Sequence, residues 1–279
     1  MDEPVVESVS MPGARLYCET RGSGPLLLFV VGGNGDSTIY QGVAADLAER
    51  FTVVTYDRRG FVRSPVDGPV DEGTRIATDT DDSLRLIEHH GGGPAHVFGS
   101  SSGAIVALDL VTRHPDAVRT VVLHEPPILA LLPDPAKWAA FLDQVYEINR
   151  TDGLWPAMAH FGAGVGTDQA VGPPTAAELP SELTAMVERA QDNMAFWMEH
   201  ELRQYPSYEP DLHALVAVAD RIVLAGGRDS REHMPFRPNL VLGERLGRDV
   251  IEFPGGHSGY AEYPGEFAAQ LGGLLTGDR

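Results

Sequence analysis

Gly99-Ser100-Ser101-Ser102-Gly103 matches the pattern G-x-S-x-G with Ser101 at its centre. An apolar run, Ala95 to Phe98, precedes it, and a helix-patterned stretch, Ala104 to Arg113, follows it. A serine on a sharp strand-to-helix turn is held clear of the sheet with its Oγ exposed, which is the placement a nucleophilic serine needs. Small residues crowd many turns, so the five residues take their weight from the strand before them and the helix after them.

Further apolar runs repeat the strand half of this unit. Leu26 to Val31, Phe51 to Tyr56, Thr120 to Leu123, Arg221 to Ala225 and Val250 to Phe253 are short and continuous rather than alternating. Such runs suit strands covered on both faces of a parallel sheet. Between them Tyr40 to Arg50, Thr74 to His90, Phe236 to Leu246 and Pro264 to Leu275 carry helical patterns. Alternating strand and helix predicts an α/β fold with a mainly parallel sheet flanked by helices. About Val5 to Thr20 is expected to add edge strands.

The rhythm stops from about Pro126 to Val218, where no strand is predicted. This stretch holds all three tryptophans, Trp138, Trp155 and Trp197, with Pro173-Pro174 and Pro180 dividing it. It reads as a helical cap, 127–218, inserted into a core domain formed by 1–126 and 219–279. Such a cap would cover the sheet edge where open α/β sheets bind ligands. Most of its aromatic residues belong to its own small core. A few, with Trp155 and Trp197 as the candidates, would line a pocket for an apolar small molecule.

Composition narrows the function classes. With 40 acidic against 21 basic residues the net charge is -19, which repels phosphate backbones and anionic membranes. Nucleic-acid and membrane partners are therefore not expected. Cys18 is the only cysteine, so neither an intramolecular disulfide nor a cysteine-based zinc site is available. No histidine pair has metal-binding helical spacing, and no metal is expected. Met1-Asp2-Glu3-Pro4 lacks a secretory pattern and no run approaches membrane-span length, so a cytoplasmic enzyme is the expectation. A homodimer is left open.

Three further groups complete a candidate site. His257, in Pro254-Gly255-Gly256-His257-Ser258-Gly259, follows the last strand and suits a general base. Two acids follow strand ends on the same sheet edge, Asp229 in Gly226-Gly227-Arg228-Asp229 and Glu125 in His124-Glu125-Pro126-Pro127. Either could orient the His257 tautomer. Backbone N–H groups of Gly33, in the loop Gly32-Gly33-Asn34-Gly35, and of Ser102 would form an oxyanion hole. A dinucleotide-binding reading of the glycine loop fails for want of the third glycine. Asp57-Arg58-Arg59-Gly60 reads as a structural turn, and Asp79, Asp81 and Asp82 as a solvated helix face. His89, His90, His114 and His124 read as surface or core residues.

From about Leu16 onward this ordered set resembles the α/β-hydrolase family. The glycine loop, the Asp57 turn, the Gly99 to Gly103 elbow, and the order serine, acid, histidine carry the resemblance. It implies a cofactor-independent serine hydrolase that transfers an acyl group from an ester or lactone to water. The family usually has a histidine where Val31 stands, so this chain must hold its oxyanion loop by other means. Gly99 to Ala104, His114-Pro115-Asp116 and His124-Glu125-Pro126-Pro127 are locally similar to the zearalenone lactonases, whose acid lies at the position of Glu125. The haloalkane dehalogenases also place their acid there. Asp229 fits the commoner family pattern and is slightly favoured. Carbon–carbon cleavage or other non-hydrolytic chemistry on the same scaffold is one rival. A ligand receptor without turnover is another, which the intact serine and histidine argue against.

Overall fold

The structure is a computed structural model and describes residues 3–166 and 181–277. In chain order the strands are β1 (Val5–Met11), β2 (Ala14–Arg21), β3 (Leu26–Val30), β4 (Thr52–Tyr56), β5 (Ala95–Ser100), β6 (Val118–His124), β7 (Ile222–Gly227) and β8 (Val250–Phe253). The helices are α1 (Gln41–Leu47), α2 (Arg75–His89), α3 (Ser102–Arg113), α4 (Pro135–Asp152), α5 (Leu154–Val165), α6 (Ser181–His200), α7 (Leu212–Ala217), α8 (Arg237–Leu246), α9 (Gly259–Glu262) and α10 (Pro264–Thr276).

The strands form one eight-stranded sheet in the order β1-β2-β4-β3-β5-β6-β7-β8. β1 and β2 are antiparallel edge strands, and from β4 to β8 every pairing is parallel. The α/β class read from the apolar runs is therefore the observed one. Alternate residues of each central strand serve two cores. Leu28, Val30, Val97, Val121 and Leu123 join α3 residues such as Ile105 and Leu108 on one face. Leu27, Phe29, Phe98 and Val122 meet Leu47 of α1 and Phe267 and Leu271 of α10 on the other. Burial on both faces is why these strands read as unbroken apolar runs.

Most boundaries lie close to the sequence expectation, and the exceptions have local causes. The helix expected from Ala104 begins at Ser102, because the turn after β5 feeds straight into it. It stops at Arg113 before His114-Pro115, where proline disfavours helical geometry in the residue before it.

The chain runs from β3 outward to β4, then crosses back to β5 on the other side of β3. That reversal opens a crevice at the carboxyl ends of β3 and β5. Helices α4 to α7 lie between β6 and β7 in the chain, with no strand among the described residues there. Leu142, Val145, Met158, Met198 and Leu202 build a third core within this segment. Pro173-Pro174 and Pro180, read as breaks in it, lie outside the described residues.

The glycines of the G-x-S-x-G pattern are steric requirements of the crevice. A Cβ on Gly103 would lie 2.1 Å from the Val30 carbonyl oxygen, and one on Gly99 would lie 2.4 Å from that of Gly103. Their absence lets the first turn of α3 press against the end of β3. Gly103→Ala is expected to cost about 2 kcal/mol through overpacking. Thermal melting should register this as a fall of about 5 °C. An unchanged melting temperature would show that the close approach is not required.

Candidate active site

Strand register brings the chemistry together. Ser100 of β5 pairs with His124 of β6, and His124 pairs with Ala225 of β7. The residues immediately after these ends, Ser101 and Glu125, are therefore neighbours at one sheet edge. They are the only non-glycine residues with positive φ among the described residues, 55° and 51°. Each is tied to the next strand along. Ser101 N–H donates to the His124 carbonyl at 2.9 Å, and Glu125 N–H donates to the Ala225 carbonyl at 3.1 Å.

The Glu125 side chain is fully buried and accepts bonds on both oxygens. Its Oε1 accepts from Gly227 N–H at 2.7 Å and from the Ser230 hydroxyl. Its Oε2 lies 2.5 Å from His257 Nδ1. Burial pushes the carboxyl pKa up, but the hydrogen bond and charge of His257, with help from His124 and Ser230, outweigh it. The net result is a pKa lowered to about 2. Nδ1 facing a carboxylate is thereby the protonated nitrogen, which leaves Nε2 as the acceptor.

Asp229, the slightly favoured acid, lies elsewhere. Its side chain is 64% exposed and its carboxylate is 3.9 Å from Arg228 Nε. The Gly226-Gly227 pair that made Asp229 attractive serves Glu125 instead. A Cβ on Gly226 would approach Glu125 Oε1 to 3.3 Å, and Gly227 supplies the N–H to the same oxygen. Ser230 was not anticipated. Its only signal was a hydroxyl one position beyond a predicted acid.

A cavity of about 210 Å³ opens over this edge. Ser101, Ser102, His257 and Gly33 line it at the sheet edge, and Leu142, Met158, Phe161, Val165, Met194 and Trp197 form apolar walls. Trp197 reaches the oxyanion-loop candidate directly, since a Cβ on Gly33 would lie 2.3 Å from its Nε1. Trp155 is half-buried on α5 and is not among the described lining residues. Glu201 is the unexpected member of the lining, fully buried just past the end of α6.

Beneath the cavity, the helix facing the Asp57-Arg58-Arg59 turn is not the solvated face expected. Asp79 and Asp82 are buried on α2, paired with Arg58 at 2.7 Å and Arg59 at 2.6 Å, whereas Asp81 stays partly exposed. The two arginines project from the end of β4 onto α2, and burying them requires carboxylates there. Asp57 accepts from the Ser37 N–H and hydroxyl, both at 2.8 Å, and so anchors the chain just after the glycine loop. His124 is fully buried beneath the site, and burial holds its pKa down to about 4, so its ring is neutral at pH 7 and charged only in acid.

Comparison with known proteins agrees with this architecture. A family model described as the α/β hydrolase fold matches residues 25–158. An uncharacterized hydrolase of Bacillus subtilis (strain 168), YraK, is 36% identical over 278 residues, 98% of this chain and 96% of its own length. Zearalenone hydrolase of Bionectria ochroleuca is 27% identical over 274 residues, 94% of each chain. Among solved structures, a thermophilic esterase from Thermogutta terrifontis superposes with a TM-score of 0.72 at 18% identity, covering 99% of both chains. With that fold, and with a full-length relative above 30% identity, this chain belongs to the α/β hydrolase fold family.

Proposed function

We propose that this protein is a cofactor-independent serine hydrolase that cleaves an apolar carboxylic ester or lactone. The observation that carries the reading is the His257–Glu125 pair beside Ser101 on one apolar cavity. In this reading Ser101 Oγ attacks the substrate carbonyl while His257 Nε2 takes its proton. Glu125 holds the imidazole with Nδ1 protonated and stabilises the imidazolium as it forms. The N–H groups of Gly33 and Ser102 receive the developing oxyanion. Water activated by His257 then releases the acyl group.

The substrate class follows from the walls. Among the described residues, His257 and Glu201 are the cavity-lining residues with charge-bearing side chains, and Glu201 is already neutralised by Arg58 and Arg75. A charged substrate would enter without a partner, so a neutral, apolar one fits better. Lactones are favoured by the likeness of Gly99 to Ala104 and His124 to Pro127 to the zearalenone lactonases, together with the zearalenone hydrolase matched over 94% of this chain. We read 127–218 as a cap over a core of 1–126 and 219–279, with Trp197 its substrate-facing aromatic.

Ser101→Ala should lower hydrolysis of a p-nitrophenyl ester by about 10³-fold or more and abolish fluorophosphonate labelling, with melting unchanged. Retained labelling would sink the assignment. Glu125→Gln should lower kcat by about 10²- to 10⁴-fold, whereas Asp229→Asn should stay within about twofold of wild type. The reverse ranking would make Asp229 the acid.

Stability offers an independent check on Glu125. Its carboxyl pKa is held down to about 2 in the folded protein against an ordinary 4.5. A lowered folded value stabilises fully above the unfolded one and is lost as pH falls through 4.5 towards about 2. The contribution is about 3 kcal/mol at neutral pH. In denaturant titrations the stability advantage of wild type over Glu125→Gln should shrink by about 2 kcal/mol between pH 6 and pH 3. A pH-independent difference would contradict the ionised, paired carboxylate.

A further inference from the structure

We propose that the last turn of α6 sets the direction of the oxyanion donors, with Arg58 and Glu201 as positioning residues for the reaction proposed above. The inference rests on that reading and concerns how Val31-Gly32-Gly33 is held without the histidine its position suggested.

The loop is gripped from behind by one side chain. Arg58 Nε donates to the Val31 carbonyl at 2.8 Å, and Nη2 donates to the Gly32 carbonyl at 2.9 Å. The Gly32 carbonyl and the Gly33 N–H belong to one planar trans peptide, so they point in opposite directions. Drawing the carbonyl back into the protein fixes the N–H outward on the other side. A guanidinium can do this because its donors form a rigid fork, which a lysine does not have.

Arg58 is itself locked by the segment that forms the cavity roof. Its Nη2 donates to Glu201 Oε2 at 2.6 Å, and its Nη1 donates to Glu201 Oε1 at 2.9 Å and to Asp79 at 2.7 Å. Glu201 is held in turn by Arg75, whose Nε and Nη2 donate to Oε1 at 2.9 and 2.6 Å. The Tyr205 hydroxyl accepts from Arg58 at 3.2 Å and donates to Asp79 at 2.6 Å. Arg58 and Glu201 are both wholly buried. Two arginines and two carboxylates balance, so none is free to leave without exposing a bare charge.

Glu201 and Trp197 are four residues apart, and Glu201 N–H donates to the Trp197 carbonyl at 2.9 Å, so both project from one helical face. Trp197 packs on Gly33 from the cavity side while Glu201 holds Gly32 through Arg58. The same turn therefore touches both ends of the peptide that presents the donor. A substrate that seats against Trp197 would bear on the peptide that stabilises its own transition state.

The test uses Arg58→Lys, Glu201→Gln and the double variant, assayed below their melting temperatures on a p-nitrophenyl ester. Binding of an aryl trifluoromethyl ketone is measured in parallel, because its hemiketal oxygen occupies the oxyanion position. Each single variant should lose about 10- to 100-fold in kcat with KM within about threefold, as expected when a donor is displaced rather than removed. The ketone should weaken in proportion. The double variant should lose little more than the worse single one, since both act through one loop. Folded single variants with wild-type kcat, or losses that multiply in the double variant, would overturn the proposal. Should neither single variant fold, Tyr205→Phe decides. It removes one hydroxyl and should lower kcat by about threefold or more with KM unchanged. Wild-type kcat in that variant would overturn the proposal. If wild type itself neither cleaves esters nor binds the ketone, the serine-hydrolase reading falls and this one with it. Wild-type success with unaltered variants removes this one alone.

Discussion

Ser101 and Glu125 occupy positive φ directly beyond the ends of two hydrogen-bonded strands, and the site follows from that constraint. A non-glycine residue in such a conformation costs about 1–3 kcal/mol and persists only where its surroundings over-determine it. Here the surroundings are the next strand in each case, which accepts the N–H of the strained residue on a carbonyl near its end, that of His124 in β6 and that of Ala225 in β7. At Ser101 the strain turns the chain from strand into helix within one residue. At Glu125 it turns a carboxylate sideways beneath β7, towards the loop that carries His257. Parallel register converts two local distortions into one site.

The second organising element is a set of buried charges. Arg58, Arg75, Asp79 and Glu201 come from the turn after β4, from α2 and from beyond α6, segments far apart in the chain. Charges taken out of water tolerate little misplacement, so such a group specifies geometry more than it adds stability. Its members meet the carbonyls of the glycine loop on one side and the wall of the cavity on the other. Position of the inserted helices and shape of the sheet edge are thus joined by directional bonds as well as by apolar packing.

Much of this is legible in the sequence. Strands covered on both faces wrote themselves as unbroken apolar runs, and the helices between them kept their own period. The pattern around Ser101 carried a geometric meaning that Gly99 and Gly103 bear out sterically. What escaped the sequence involved partners with no local mark. Asp79 and Asp82 look solvated on a helix read alone, and they are buried because two arginines from another strand end face them. Glu201 follows an aromatic stretch with nothing beside it to indicate a charge partner.

The sequence by itself determined the α/β class and the residue types at the strand ends, because periodicity and turn chemistry are local properties. It nominated Asp229 and Glu125 for His257 on nearly equal terms, since each follows a strand end on the same sheet edge as Ser101. Only the tertiary structure decided which of them meets the imidazole. Register across β5, β6 and β7 places Glu125 beside the strand end that carries Ser101, and two glycines without side chains leave room for its carboxylate to reach His257. Asp229, just beyond the end of β7, turns outward to the surface.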